Sequence, residues 1–293
     1  MPMGNSKINY RNDLVTRYYS WNPGGFGCAE GCDGCWAAKM AKGPYVKCPD
    51  CRAFRVHVHP ERLDQPAETK RPGLVLVNFT NDMFAVSRPA EDVGAMLEAM
   101  GRAHQHKYIM LTKQPQIARY MLGRYVFSEP GFGVKFNTPN WFLGLSVCNA
   151  GQVKKIGKFL SIGKTEQYDA KIPKFLSIEP CWSNVNIRPV DLKQMAGVIV
   201  GHDNRPKASG TDQLKNIRFV VEQCAEAGTP CFVKQIWRRP GQPGWPQKNQ
   251  IELITDPERM PEDLQVRNLP WSTPADDETR PTKKADVQTR MDF

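Results

Sequence analysis

The sequence predicts an α/β fold built on a parallel sheet, and three observations predict it. Seven short apolar runs rich in β-formers recur along the chain: Val15–Ser20, Leu74–Phe79, Tyr108–Leu111, Phe142–Val147, Phe175–Ile178, Val198–Gly201 and Cys231–Val233. Most are apolar almost without interruption, as strands buried on both faces are. Stretches with helical spacing separate them, so the chain reads as repeated βαβ units with right-handed crossovers. A partial (βα) barrel of the TIM type and a doubly wound sheet both fit, because periodicity does not fix strand order. In either arrangement, functional residues collect at the C-terminal ends of the strands.

Taken in order, the first strand leads into a glycine- and cysteine-rich loop and a helix over Trp36–Ala41. An insertion over Lys42–Pro72 then delays the second strand. The next helix, Ala90–Ala103, carries apolar residues at Val93, Met96, Leu97 and Met100, which is one helical face. Ile117–Leu122, Gln152–Leu160 and Leu214–Ala227 follow as helices, the last with Gly228 where a C-cap belongs. Beyond Arg238 the chain turns rich in Pro, Gly and charge. The expected organisation is therefore a barrel over 1–240, interrupted at 42–72, and a partly disordered extension over 241–293.

Composition bounds the function. The chain has 293 residues, 40% hydrophobic and 24% charged, enough for one large core. It holds no apolar run of about 18 residues, which argues against a membrane-spanning helix. The polar start, Met1 to Val15, lacks the apolar core of a secretory signal, so a cytoplasmic location is the default. The net charge of +10 favours a polyanionic partner such as nucleic acid. Its densest parts are a lysine run (Lys154, Lys155, Lys158, Lys164, Lys171, Lys174) and Lys234–Arg239. Nine cysteines, five of them in two tight clusters, read as metal ligands in a reducing compartment.

The first cluster is Cys28-x3-Cys32-x2-Cys35, after the first strand and before a helix. Glycines at 24, 25, 27, 31 and 34 let the loop wrap closely around a bulky inorganic group. Three thiolates are the informative number. Electron-transfer [4Fe–4S] clusters usually take four cysteines, so three leave one iron open. That is the donor set of enzymes that bind S-adenosylmethionine (SAM) at the open iron and use it for radical chemistry. The bland alternative is a zinc site completed from elsewhere, or three reduced thiols; this spacing is less common for zinc than paired C-x2-C hooks.

Several blocks, in this order, carry a resemblance: Trp21-Asn-Pro, Cys35-Trp-Ala, His59-Pro-Glu-Arg-Leu, Asn81-Asp-Met-Phe, Leu111-Thr-Lys-Gln-Pro, Trp141-Phe-Leu-Gly-Leu-Ser-Val, Phe175-Leu-Ser-Ile-Glu-Pro, Val198-Ile-Val-Gly and Gly228-Thr-Pro-Cys-Phe-Val-Lys-Gln. Over Trp21–Gln235 the chain resembles a phage and bacterial radical-SAM-like family of undefined function, distantly similar to spore photoproduct lyase. The resemblance implies a partial TIM-type radical SAM barrel, and a host-cell cytoplasm if the chain is phage-encoded. It implies no substrate. One departure stands at His202-Asp-Asn, where the family tends to have Gly-Glu-Ser.

The strand ends supply candidates for holding SAM: Asn78, Asn81 and Asp82 with Thr80, then Thr112 and Lys113, Ser146, Ser177 and Glu179, and Lys234. Asp82 and Glu179 suit ribose or amino contacts, and Lys113 suits a carboxylate or anionic substrate. Each is weighed against a plain role in satisfying local backbone. Charged residues directly after buried strands are the stronger candidates, since an unpaired charge there is costly. In the insertion, Cys48, Cys51, His57 and His59 suit zinc, the histidines lying on one side of an extended segment. The competing reading leaves His59 to the His-Pro-Glu block and only two cysteines to a partial site. Cys148, Cys181, Cys224 and Cys231 read as small buried hydrophobes.

The leading function is radical SAM modification or rearrangement of a nucleic-acid base, most specifically a modified pyrimidine in phage DNA, fed by a reducing donor such as flavodoxin or ferredoxin. Repair of a pyrimidine photolesion and modification of a peptide or small metabolite are the other chemistries. A non-catalytic protein, with zinc at both clusters and lysines on phosphates, is the rival from another class. Trp182, Trp237, Arg238 and Arg239 are candidates for a base-stacking groove.

Overall fold

The computed structural model describes residues 2–6, 17–126, 140–164, 172–205, 212–238 and 252–271. Among them the chain builds β1 (Gly4–Asn5), β2 (Tyr18–Trp21), α1 (Trp36–Ala41), α2 (Pro49–Arg52) and α3 (Gln65–Glu68). It continues through β3 (Leu74–Val77), α4 (Ala90–Arg102), β4 (Lys107–Thr112), α5 (Pro115–Tyr125), β5 (Trp141–Ser146) and α6 (Ile156–Leu160). The rest is β6 (Lys174–Ile178), α7 (Pro189–Leu192), β7 (Gly197–Val200), α8 (Gln213–Ala227), β8 (Cys231–Val233), β9 (Ile236–Arg238) and β10 (Glu252–Ile254).

All seven sequence-predicted strands are present, and their order resolves the ambiguity left by periodicity. The main sheet runs β1 to β8 in sequence order, with β2 to β8 parallel and β1 an antiparallel edge. A doubly wound sheet reverses direction at a switch point; this one never does. Successive crossovers of one hand then put the helices on one face and curl the other inward. The sheet is a partial barrel, not closed.

The side-chain alternation shows both faces. Val75, Val77, Tyr108, Met110, Leu143, Leu145, Val198 and Val200 belong to the large core under the helices. Leu74, Leu76, Ile109, Phe175, Ile199 and Phe232 form a second core inside the curl. Both sets are apolar, which is why these strands read as continuous rather than alternating. Gly144 lies on the inner row between Leu111 and Phe175, where a Cβ would come within 2.4 Å of the Phe175 ring. From the outside, α4 packs through Val93, Met96, Leu97 and Met100, all at most 1% exposed, each worth about 1.5–3 kcal/mol of burial. Its first turn carries Glu91 and Asp92, which suit the positive end of the helix.

The extension expected after residue 240 does not stand apart over its described stretch. β10 pairs with β9, and Leu269 and Trp271 enter the inner core, Trp271 edge-on to Phe142 and Phe175 at 6.0 and 5.7 Å. Leu269 and Trp271 thus plug the inside of the curl, while Ile254, Met260 and Leu264 join the larger core. The remainder of that extension lies outside the described residues.

Two further sequence readings change. Lys174, counted in the basic run, is a 6%-exposed residue within β6 and presents no charge to a polyanion; Lys154, Lys158 and Lys164 are exposed, and Lys171 lies outside the described residues. The helix over Gln152–Leu160 is split into a 3-10 segment, Ala150–Lys155, and α6. No helix among the described residues is long and apolar enough to cross a membrane.

Candidate active site

The three-cysteine loop leaves the C-terminal end of β2 and is held from below by the turn after β3. Asn78 adopts φ +52°, a left-handed conformation that asparagine tolerates better than most residues. Its Oδ1 accepts the Gly24 N–H at 3.0 Å. Thr80 Oγ1 donates to Asn22 Oδ1 at 3.1 Å, and Asn81 Nδ2 donates to the Gly25 carbonyl at 2.9 Å. Asn78, Thr80 and Asn81, all sequence candidates for cofactor contact, are therefore engaged in shaping the loop.

Cys28, Cys32 and Cys35 are each half-buried, and Cys35 is the N-cap of α1. The chain turns between them through Gly31 and Gly34 at φ +59° and +64°. Gly34 suits this left-handed turn, and a Cβ there would come within 1.9 Å of Arg205 Nη1, so the guanidinium would have to move. Burial pushes the Cys28 thiol up, and the carboxylates of Asp82 and Glu30 add to it. Lys113 Nζ donates to Cys32 Sγ at 3.0 Å. Burial alone would lower that ammonium, but the bond to Cys32, with Cys148 and Glu30 nearby, leaves Lys113 raised and positively charged.

Asp82 fixes Lys113. Its Oδ1 accepts the Phe84 N–H at 2.9 Å, while Oδ2 accepts Thr112 Oγ1 at 3.1 Å and the Lys113 N–H at 2.8 Å. Burial drives its carboxyl up, against these three donors. Thr112 sits on the row facing the helices, paired with Leu145, and serves the same contact. Both residues lock the turns after β3 and β4 together.

The inner rim of the curl is built by the other candidates. Ser146 and Ser177 are register partners on β5 and β6. Ser177 Oγ donates to Glu179 Oε2 at 3.3 Å, and Lys234 Nζ lies 3.0 Å from Glu179 Oε1. Cys148 is buried, as the sequence reading expects, yet lies near enough to Lys113 and Cys32 to feel their charges. Cys181, Cys224 and Cys231 are buried too.

The donor set fits an iron–sulfur cluster with an open iron. Three partly exposed thiols share one glycine-turned loop, a half-buried ammonium stands beside one of them, and a polar rim faces the same end of the barrel. A family profile described as a protein of unknown function, DUF5131, matches residues 5–268. The chain belongs to this family. No curated protein matches the sequence of this DUF5131 member. Among solved structures it is similar to spore photoproduct lyase with bound AdoMet and dinucleoside spore photoproduct, at 12% identity and a TM-score of 0.42, over 81% of this chain and 69% of that one. A second structure, spore photoproduct lyase complexed with the dinucleoside spore photoproduct, matches at 12% identity and TM-score 0.44, over 86% and 72%.

Two further features of the DUF5131 chain border the loop. After β7, Asp203 accepts from Arg205 Nε at 2.9 Å and from the Trp182 indole at 3.2 Å, and the Trp237 indole donates to its carbonyl at 2.6 Å. The Arg205 guanidinium lies 5.9 Å from the Trp182 ring, which is 39% exposed. Trp182 and Trp237 were legible as aromatic candidates; Arg205 was not, since nothing in its local sequence marks it. The side chain of Arg238 and all of Arg239 lie outside the described residues. On the other flank, Cys48, Cys51, His57 and His59 converge, their ligand atoms all within 4.8 Å of one another. The group could hold a metal.

Proposed function

We propose that this chain is a radical SAM enzyme acting on a nucleic-acid base. One observation carries the first half: three half-buried cysteines at C-x3-C-x2-C spacing, on a glycine-turned loop at the C-terminal end of the first parallel strand of a singly wound partial barrel. With a [4Fe–4S] cluster and SAM bound there, the site supplies hydrogen-atom abstraction from an unactivated C–H bond, driven by one-electron reductive cleavage of SAM. The electron comes from a small reducing protein of the flavodoxin or ferredoxin class.

The chain's own residues do the positioning. Cys28, Cys32 and Cys35 would hold the cluster. Lys113 balances the charge at Cys32, and Asp82 with Thr112 keeps it in place. Asn78 and Asn81 hold the loop. Ser146, Ser177, Glu179 and Lys234 offer donors and acceptors to the polar parts of SAM. Trp182, exposed on one face and backed by Arg205, offers a stacking surface for a base beside the loop. The net charge of +10 and the exposed Lys154, Lys158 and Lys164 favour a polyanionic carrier of that base. We read the substrate as a modified pyrimidine in DNA, with phage DNA as its source. If the base lies within a duplex, extrusion costs a few kcal/mol.

The test is anaerobic purification with measurement of iron, sulfide and 5′-deoxyadenosine release under dithionite. About four irons per chain, and loss of both iron and release in Cys28→Ala, Cys32→Ala and Cys35→Ala, is the expected result. Protein that takes up zinc alone after reconstitution refutes it. A mass change in pyrimidine-modified DNA supports the substrate; release of 5′-deoxyadenosine with peptides or metabolites but never DNA refutes that part.

A further inference from the structure

Four ligand atoms of the insertion point at a common centre. Cys51 Sγ is 3.3 Å from both His57 Nε2 and His59 Nε2, Cys48 Sγ is 3.7 Å from His57 Nε2, and the two Nε2 atoms are 3.0 Å apart. A tetrahedral zinc ion, with bonds of about 2.3 Å to sulfur and about 2.0–2.1 Å to nitrogen, sets edges of about 3.6 Å between sulfur and nitrogen and about 3.3 Å between nitrogens. The observed separations match that size.

The outer nitrogens fix what the inner ones present. His57 Nδ1 is 2.7 Å from the Arg55 carbonyl, and His59 Nδ1 is 2.9 Å from Glu61 Oε1. Both partners are acceptors, so both Nδ1 atoms carry the proton. Two Nε2 lone pairs and two sulfurs then face one another across a few ångströms, an arrangement that a cation between them satisfies at all four atoms at once. Histidine ligands oriented by a carboxylate and a backbone carbonyl are the usual outer contacts of zinc sites. Four protein ligands leave no open position, which is the mark of a structural site.

This group is stitched to the approach to Cys28. The Phe26 N–H donates to Cys51 Sγ at 3.3 Å, and the His59 N–H donates to the Pro23 carbonyl at 2.7 Å. Gly25 has φ +56°, and a Cβ there would stand 2.7 Å from both Cys51 Sγ and His59 Nε2. At Gly27 a Cβ would reach within 1.9 Å of the Arg55 carbonyl. Arg88, 3% exposed, joins the two sides, donating to the His57 carbonyl at 2.7 Å and to Asn81 Oδ1 at 3.0 Å.

We propose that Cys48, Cys51, His57 and His59 bind one zinc ion as a closed structural site that clamps the Pro23–Gly27 run and so sets the position of Cys28. The zinc site stands on its own geometry; only its consequence for an iron–sulfur cluster rests on the radical SAM reading. The experiment uses the full chain expressed with ample zinc. Expected are about one zinc per chain, its retention when Cys28, Cys32 and Cys35 are all changed to Ala, and its loss in Cys48→Ala. His57→Cys keeps the metal, because a Cys3His set binds zinc as well. Cobalt in place of zinc in the unmutated chain gives tetrahedral d–d bands with thiolate charge transfer, a readout that no variant's folding can confuse.

Hydrogen exchange over residues 22–35 rises about tenfold or more when the metal is removed by a chelator, while the strands on the far side of the sheet hold. Absence of zinc from the unmutated chain, or zinc that leaves with the triple variant and stays in Cys48→Ala, overturns the site. Zinc at the site with no change in exchange over 22–35 overturns the clamp. Failure of the radical chemistry alone, with zinc following these four residues, touches only the proposed function.

Discussion

The ion pair between Glu179 and Lys234 allows a worked prediction. The charges lie 3.0 Å apart, with side chains 12% and 18% exposed. At an effective dielectric constant of about 20, the gross attraction is about 5.5 kcal/mol. Much of that offsets the cost of removing two charges from water, so the pair's net contribution is small. Breaking it is different. Lys234→Met leaves a largely buried carboxylate without its ammonium partner, and Glu179→Gln leaves a largely buried ammonium facing a weak neutral acceptor. Each single change costs about 3–5 kcal/mol on that logic, while the double variant, with no stranded charge, falls within about 1–2 kcal/mol of the parent. Urea unfolding of the full chain, extrapolated to water, gives the three differences and their coupling. A coupling below about 1 kcal/mol, the value of an exposed pair, refutes the claim that the barrel rim holds these charges in a dry environment. The same variants speak to function. If the Glu179–Lys234 pair contacts SAM, the double variant binds SAM more weakly although its stability is restored.

Two other outcomes follow from packing. Trp271→Ala removes the ring that closes the inner core against Phe142 and Phe175 and costs about 3–5 kcal/mol, read as a lower urea midpoint; an unchanged midpoint means Trp271 does not plug the curl. Thiol alkylation of the metal-free protein at pH 8 labels Cys28, Cys32, Cys35 and Cys48 first, because they are half-exposed, and spares Cys181, whose thiol burial pushes up to about 12. Peptide mapping reads the order, and early labelling of Cys181 contradicts its placement.

The sequence by itself determined the elements. Strands buried on both faces must be apolar at consecutive positions, so they declare themselves locally, and all seven did. The same holds for α4 and α8, whose apolar faces repeat at helical spacing, and for the two cysteine groups, whose spacing is short enough that chemistry shows in a single line of text. The four buried cysteines outside the two clusters, Cys148, Cys181, Cys224 and Cys231, were legible for the same reason: they sit inside or beside apolar runs.

What the tertiary structure decided depends on contacts across long stretches of chain. Strand order, and with it a partial barrel instead of a doubly wound sheet, is set by which edge each crossover returns to, and no local signal records that. Lys174 reads as one more surface lysine until β6 takes it inside. Asp82 and Thr112 look free at strand ends, but the turn after β3 meets the turn after β4, and their polar groups are satisfied there. Trp271 belongs to a polar, proline-rich extension and yet fills the core, because an open curl of apolar strands needs a lid and the chain has one to give. Arg88 and Arg205 gained their roles only when loops distant in sequence met around the cysteines. Spacing named the ligands; only folding brought Cys51 and His59 against Gly25, on the approach to Cys28, because that contact joins segments more than twenty residues apart.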